Sequence, residues 1–181
     1  VRSSLTDTEG TMIVAQTKGM EDVVVRGVTL KKDLARVLLV GVPNKPGIAS
    51  KIFARVAQQG IVVDDIIQNI VEHASEANIG FTVAGTDLKD AELVCKELAR
   101  DLGIRSVEMD SGLAKVSVVG VGMKTHTGVA SKMFGALAKA QINIQNITTS
   151  EIVVSCIVKA EEGEKAVQVL HAEFELDKAN D

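Results

Sequence analysis

The chain has 181 residues, 46% of them hydrophobic, a net charge of −4 and a pI near 5.5. That balance argues against a polyanionic partner such as nucleic acid, which needs a basic face, and the longest basic run is the pair Lys31–Lys32. Four Phe with no Trp or Tyr leave cores of Val, Ile, Leu and Ala, and remove the usual stacking platforms for single-stranded nucleic acid.

No apolar stretch approaches the roughly 20 residues that span a bilayer, and no secretory signal pattern is present. A cytoplasmic protein with no membrane partner is expected. Cys95 and Cys156 lie far apart inside apolar segments, the pattern of buried free thiols in a cytosolic protein.

An internal repeat organises the chain. Val37–Asn69 and Val118–Ser150 align without a gap at an offset of 81 residues. Val37, Val40, Gly41, Gly47, Ala49, Ser50, Lys51, Phe53, Ala57, Ile61 and Ile66 each meet an identical residue. Agreement of that density marks two homologous units.

In chain order, Val23–Leu30 (VVVRGVTL) reads as a strand outside the repeat. Arg36–Gly41 is a β-branched strand ended by Gly. A turn over 42–47 leads into a helix whose apolar stripe is Ile48, Ile52, Phe53 and Val56, with Pro46 suited to its first turn. A second strand is expected from Ile61 to Ile70, a third over Ile79–Ala84, a second helix over Asp87–Leu102 and a fourth strand over Ile104–Met109. The second unit repeats the series: strand Lys115–Val121, turn 122–128, a helix with Val129, Met133, Phe134 and Leu137 inward, strands Ile142–Thr149 and Ile152–Val158, and helix Glu162–Phe174.

The order is βαββαβ, so the fold class is α+β: two tandem ferredoxin-like units. The second lacks its last strand, because Glu175–Asp181 is charged. The N-terminal strand is expected to complete the second sheet, so that the units cannot be cut cleanly between Asp110 and Gly112. The expected organisation is an N-terminal segment at 1–32, a first unit at 33–111, a second at 112–176 and a tail at 177–181.

No catalytic constellation is present. His73, His126 and His171 fall in different elements, without Cys or His at metal-ligand spacing. Gly120-x-Gly122 followed by Gly128 breaks the GxGxxG pattern, and no GK[ST] occurs. No cofactor or metal is expected in this chain.

The two turns carry the functional signal. Each feeds a helix N-terminus, whose free N–H groups and positive dipole end attract a carboxylate. The following strands offer Asp64, Asp65 and Gln68 in one unit and Asn143, Gln145, Asn146, Thr148 and Thr149 in the other. A carboxylate site beside an ammonium site suits a free α-amino acid.

The segments VPNKPGIASKIF (42–53), IIQNI (66–70), KVSVVGVGMKTHTGVASKMF (115–134), INIQNITTSEI (142–152) and AVQVLHAEF (166–174) resemble the paired ACT domains in the regulatory region of aspartate kinases. The resemblance covers essentially the whole chain, from VRSS at its start. It implies a regulatory module that is not itself an enzyme. ATP, Mg and phosphoryl transfer to the aspartate side chain would belong to a kinase domain or α subunit acting as partner. Met20-Glu21-Asp22 falls where some members start a separate regulatory subunit.

The resemblance further implies feedback inhibition of the first step of aspartate-family biosynthesis by lysine, threonine or both, bound where ACT units pair across a homodimer. The effector-binding residues it implies are Asn44, Lys45, Pro46, Gly47, Ile48, Ala49, Val63, Asp64 and Gln68, with Asn143, Ile144, Thr149, Ser150 and Glu151 from the second unit. Asn44 stands where Asp is usual, Thr127 replaces the usual Pro, and Thr148 replaces Ser. The alternative is an assembly module that only dimerises its parent.

Overall fold

The computed structural model describes residues 25–71, 75–120 and 128–178. The expected start at Met20–Asp22, the first two residues of the N-terminal strand, His73, and residues 122–127 of the second turn at 122–128 lie outside them.

Six antiparallel strands form one sheet: β1 (Gly27–Pro43), β2 (Asp64–Ile70), β3 (Glu76–Ala84), β4 (Ser106–Val119), β5 (Asn146–Thr149) and β6 (Val153–Lys159), in the order β2-β3-β1-β4-β6-β5. Helices α1 (Ile48–Gln58) and α2 (Leu88–Leu102) belong to the first unit, α3 (Val129–Lys139) and α4 (Gly163–Glu173) to the second.

Two long strands are shared between the units. Residues 27–31 of β1 pair with Val119–Lys115, whereas Arg36–Val40 pair with Asp110–Ser106 of the same partner strand. Each strand is interrupted midway, at Asp33 (φ 58°) and Gly112 (φ 69°). The start of β1 therefore supplies the strand that the second unit's own sequence lacks. Despite the bend at Gly112, Ser106–Val119 continues from one unit into the other as one strand, so the fourth strand of the first unit extends ten residues beyond the expected end at Met109. β2 begins at Asp64 rather than Ile61, because Ile61 turns into the core and Val62 faces outward.

Each unit buries its own aliphatic core. Val37, Leu39, Ile79, Phe81 and Val83 meet Ile52 and Val56 of α1 and Val94 and Leu98 of α2. Val116, Val118, Val154, Cys156 and Val158 meet Met133, Leu137, Ala166 and Leu170, with Val25, Val28 and Leu30 of the N-terminal strand packed on them. Leu34, Leu113 and Ile157 fill the junction. Cys95 and Cys156 are free thiols, each fully buried in a different core. Burial raises the pKa of both to about 11, so neither is a thiolate at neutral pH.

Gly41 is a position where only glycine fits. It has φ 71° inside the register break between Leu39 and Val42, and an added Cβ would lie 2.8 Å from Arg105 Cβ. Its N–H donates to Asn78 Oδ1 at 3.1 Å. Gly41→Ala should lower unfolding free energy by about 2 kcal/mol, the usual cost of a strained backbone. Urea denaturation reads this directly, and an unchanged midpoint would mean that the bulge relaxes freely.

Candidate functional site

The turn after β1 is built by its own backbone. The Asn44 N–H donates to Ser75 O at 2.9 Å, the Lys45 N–H to Pro43 O at 2.9 Å and the Ile48 N–H to Lys45 O at 3.3 Å. Gly47, at φ 89°, is the residue before α1, and no side chain caps that helix. Beyond Ile48, the first-turn N–H groups of Ala49 and Ser50 are left to a ligand or solvent. Gly128 repeats the device ahead of α3 at φ 104°.

Around this turn lies an open pocket of about 270 Å³. Asn44–Ala49 form one wall, Gln68 of β2 forms the other, and Val42, Ala77 and Ile79 form the floor. The register explains the approach: Gln68 is opposite Ile79, whose side chain enters the first core, so Gln68 stands on the helix side of the sheet. Ile66 and Ile70 flank it on that face, 55% and 66% exposed, and Val62 precedes them at 76%. Ile66, Gln68 and Ile70 lie on β2, the edge strand of the sheet, and Val62 lies just before it.

Asp64 is placed elsewhere. Lys115 Nζ lies 2.7 Å from Asp64 Oδ2 and 3.1 Å from Asp65 Oδ2, and Lys31 Nζ also reaches Asp64 at 2.9 Å. Hydrogen bonds first from Lys115 and then from Lys31 hold the Asp64 carboxyl well below the usual carboxylate range. Burial disfavours the charged form of Lys115, but the bonds to Asp64 and Asp65 outweigh it and raise its pKa. Thr148 of β5 donates to Asp65 Oδ1 at 3.4 Å. This cluster joins the units, and it leaves the turn pocket without a carboxylate.

The remaining expected site residues divide between places. Val63 packs against the first core and Ile144 against the second. Asn143 is exposed in the segment between α3 and β5. Thr149 and Ser150 line a second pocket of about 280 Å³ with Asp65, Lys115, Thr148 and Ser155. Glu151 sits in the turn that follows. None of the second unit's residues lines the turn pocket of the same chain. Lys115 was missed by sequence reasoning, although a lone cation inside the apolar strand LAKVSVV was a usable signal.

Among the described residues no cluster of His, Cys, Asp or Glu is arranged to hold a metal ion, and no helix is long and apolar enough to cross a membrane.

Residues 36–103 and 116–174 each match the ACT domain family. Over 178 residues the chain is 43% identical to an aspartate kinase of Pseudomonas fluorescens, an alignment covering 98% of this chain and 43% of that protein. The chain thus spans less than half the length of this curated relative. The ligand-free regulatory subunit of aspartate kinase from Thermus thermophilus is 38% identical with a TM-score of 0.76, covering 83% of this chain and 99% of that one. Aspartokinase III of E. coli, solved with lysine and aspartate, is 26% identical with a TM-score of 0.63, covering 83% and 33%. With two ACT matches, one per structural unit, and near-complete coverage of a solved regulatory subunit, the chain belongs to the ACT-domain family as the regulatory region of an aspartate kinase.

Proposed function

We propose that this chain is the feedback sensor of an aspartate kinase, binding free lysine, threonine or both and passing that state to a cytoplasmic kinase domain or α subunit that carries ATP and Mg. The observation behind this reading is the turn pocket, where uncapped N–H groups of α1 face the side-chain amide of Gln68. The N–H groups suit an α-carboxylate. With no carboxylate in the lining, the ammonium group is left to the side-chain oxygens of Asn44 and Gln68. The lysine complex of E. coli aspartokinase III supports the effector class.

The exposed edge of β2 supports a homodimer. Val62, Ile66 and Ile70 flank Gln68, so pairing this edge with an ACT unit of a second copy would cover the apolar stripe and close the pocket at once. In that arrangement Asn143, Ile144, Thr149, Ser150 and Glu151 reach the effector from the other copy. Inhibition then requires that the effector bind one state of the whole enzyme better than the other, typically by about 1–3 kcal/mol.

Thermal unfolding with lysine, threonine, both together, and leucine as control tests this. An effector at about 100 times its Kd adds roughly 2.7 kcal/mol, a rise of about 2–4 °C per kcal/mol at this chain length. Gln68→Ala should weaken binding by about tenfold, the loss of one charge-assisted hydrogen bond, and relieve inhibition of the parent enzyme while leaving the fold intact. Light scattering reads the dimer. A stable dimer that responds to no amino acid would favour the assembly-only role.

A further inference from the structure

Two strands carry the chain from one unit to the other, and both bend by the same device. Lys32 and Asp33 of β1 stand between the pairs Lys31–Lys115 and Leu34–Leu113, where β4 has only Ala114. On the other side of the leucine pair, Ser111 and Gly112 of β4 stand before Arg36–Asp110, where β1 has only Ala35. Each bulge carries one left-handed residue, Asp33 at φ 58° and Gly112 at φ 69°. The segments KKDLAR (31–36) and DSGLAK (110–115) are thus one pattern used once on each strand. Bulges bend a strand pair, and here two of them bracket a single leucine pair.

Among the described residues little apolar surface crosses between the units. The first core draws on residues 35–109, and the second on 25–30 and 116–176. Leu34, Leu113 and Ile157 fill the junction. Beyond them lie the ion cluster of Asp64, Asp65, Lys31 and Lys115 and the bond from Thr148 to Asp65. A cavity of about 240 Å³ separates Arg36, Asn78 and Thr82 of the first sheet from Gln145 and Asn146 of the second unit. Units joined by polar contacts and a void move relative to one another more readily than units that share a core.

The charges on the two bulges explain why the units close. Arg36 and Asp110 are cross-strand partners and form an ion pair at 2.9 Å. The corresponding partners on the other side of the leucine pair are Lys31 and Lys115. Two cations directly opposite each other repel. Asp64 Oδ2 relieves that repulsion, 2.9 Å from Lys31 Nζ and 2.7 Å from Lys115 Nζ, and Asp65 Oδ2 lies 3.1 Å from Lys115. Both carboxylates come from the first unit, so the second unit's strand pair takes its counter-charge from across the interface. The Lys115 side chain is only 14% exposed there.

We infer that the two units are the leaves of a hinge: Leu34–Leu113 is its pivot, and Asp64 and Asp65 latch it closed by neutralising Lys31 and Lys115. Without the latch carboxylates Lys115 is a half-buried, unpaired charge, which regains a partner in water only when the leaves part. Gln68 lies four residues beyond Asp64 on the same strand, so the latch and the turn pocket share β2. The hinge does not depend on that pocket binding an effector.

Residual dipolar couplings of the full chain test the hinge. Backbone N–H signals of Val37–Leu39 and Ile79–Val83 report the first unit, and those of Val116–Val118 and Val154–Val158 the second. In the unaltered chain one alignment frame should fit both sets. In the double variant Asp64→Asn with Asp65→Asn, each unit should still fit its own structure but need its own frame. The couplings of one unit should also shrink against those of the other, as the leaves move on the μs–ms scale of hinges. Adding Lys115→Met removes the charge that draws water in, and should bring the two frames back together. A double variant that keeps a single frame would overturn the latch. A second unit whose couplings no longer fit its own structure would overturn it too, because the cluster would then hold a fold rather than an angle. A triple variant with frames as far apart as in the double would show that the charge of Lys115 does not drive the opening, and the latch would fall with it.

Discussion

A chain shortened to begin at Leu34 should lose the fold of its second unit while the first keeps its four strands. The removed segment supplies the pairs Gly27–Val119 through Lys31–Lys115, and it packs Val25, Val28 and Leu30 onto the second core. Gly163, where α4 starts, lies so close to Leu30 that an added Cβ would be 3.0 Å from Leu30 Cδ1. Losing one buried and two half-buried aliphatic side chains, together with a row of strand hydrogen bonds, costs on the order of 5 kcal/mol. That is comparable with the whole stability of a small domain. β4 would also be left with an unpaired edge open to aggregation. Urea unfolding followed by NMR separates the units: signals from Val154–Val158 should vanish at lower denaturant than those from Ile79–Val83. A single transition at the midpoint of the longer chain would show that the second unit stands without the segment.

Lys115→Met should be the most damaging single substitution of a charged residue. The Lys115 side chain is 14% exposed, and its partners Asp64 and Asp65 are 35% and 13% exposed. Removing one member of a fully buried ion cluster costs about 3–5 kcal/mol. Asp64 is about one-third exposed and keeps Lys31 at 2.9 Å, which lowers the expected loss to about 2–3 kcal/mol. Adding Asp65→Asn to Lys115→Met should recover part of it, because the deepest unpaired charge is then gone. A double variant that is less stable by the full sum of the two single losses would refute the coupling.

The same cluster fixes the dependence on pH. Asp64 has a folded pKa below its unfolded value, so its contribution is present above about pH 4 and is lost as pH falls toward the folded value. Lys115 has a raised folded pKa, so its contribution is complete below about pH 10.4 and is lost as pH rises through the folded value. The urea midpoint should therefore be level across neutral pH and fall at both extremes. In Lys115→Met the alkaline fall attributable to this lysine should disappear, and the acid fall should shrink.

The repeat made both units legible, because identical residues recur wherever the same packing is needed. Val37 and Val118 are both fully buried in their cores, and Gly47 and Gly128 both start a helix from a left-handed conformation. The turn pocket was legible for the same reason: Asn44–Ala49 are contiguous, and Gln68 follows from the alternation of β2. The missing fourth strand of the second unit was readable as a shortage, which the spare N-terminal strand could fill.

Asp64 shows where that reading ends. Strand alternation placed it near the turn with Gln68, but the register shift between Asp64 and Ile66 changes the face that it serves. Its partner Lys115 is 51 residues away in the other unit. Nothing local in either segment names the other.

The sequence by itself determined the two units, their helix and strand order, the aliphatic cores and the glycine-led turns, because these rest on short-range periodicity and on backbone geometry near each residue. Only the tertiary structure decided that β1 and β4 are each divided between the units, that Lys115 gathers Asp64 and Asp65, and that Arg36, Thr82 and Asn78 face Gln145 and Asn146 across one cavity. Those arrangements depend on strand register and on the bends at Asp33 and Gly112, which bring distant segments into contact through packing that no local pattern encodes.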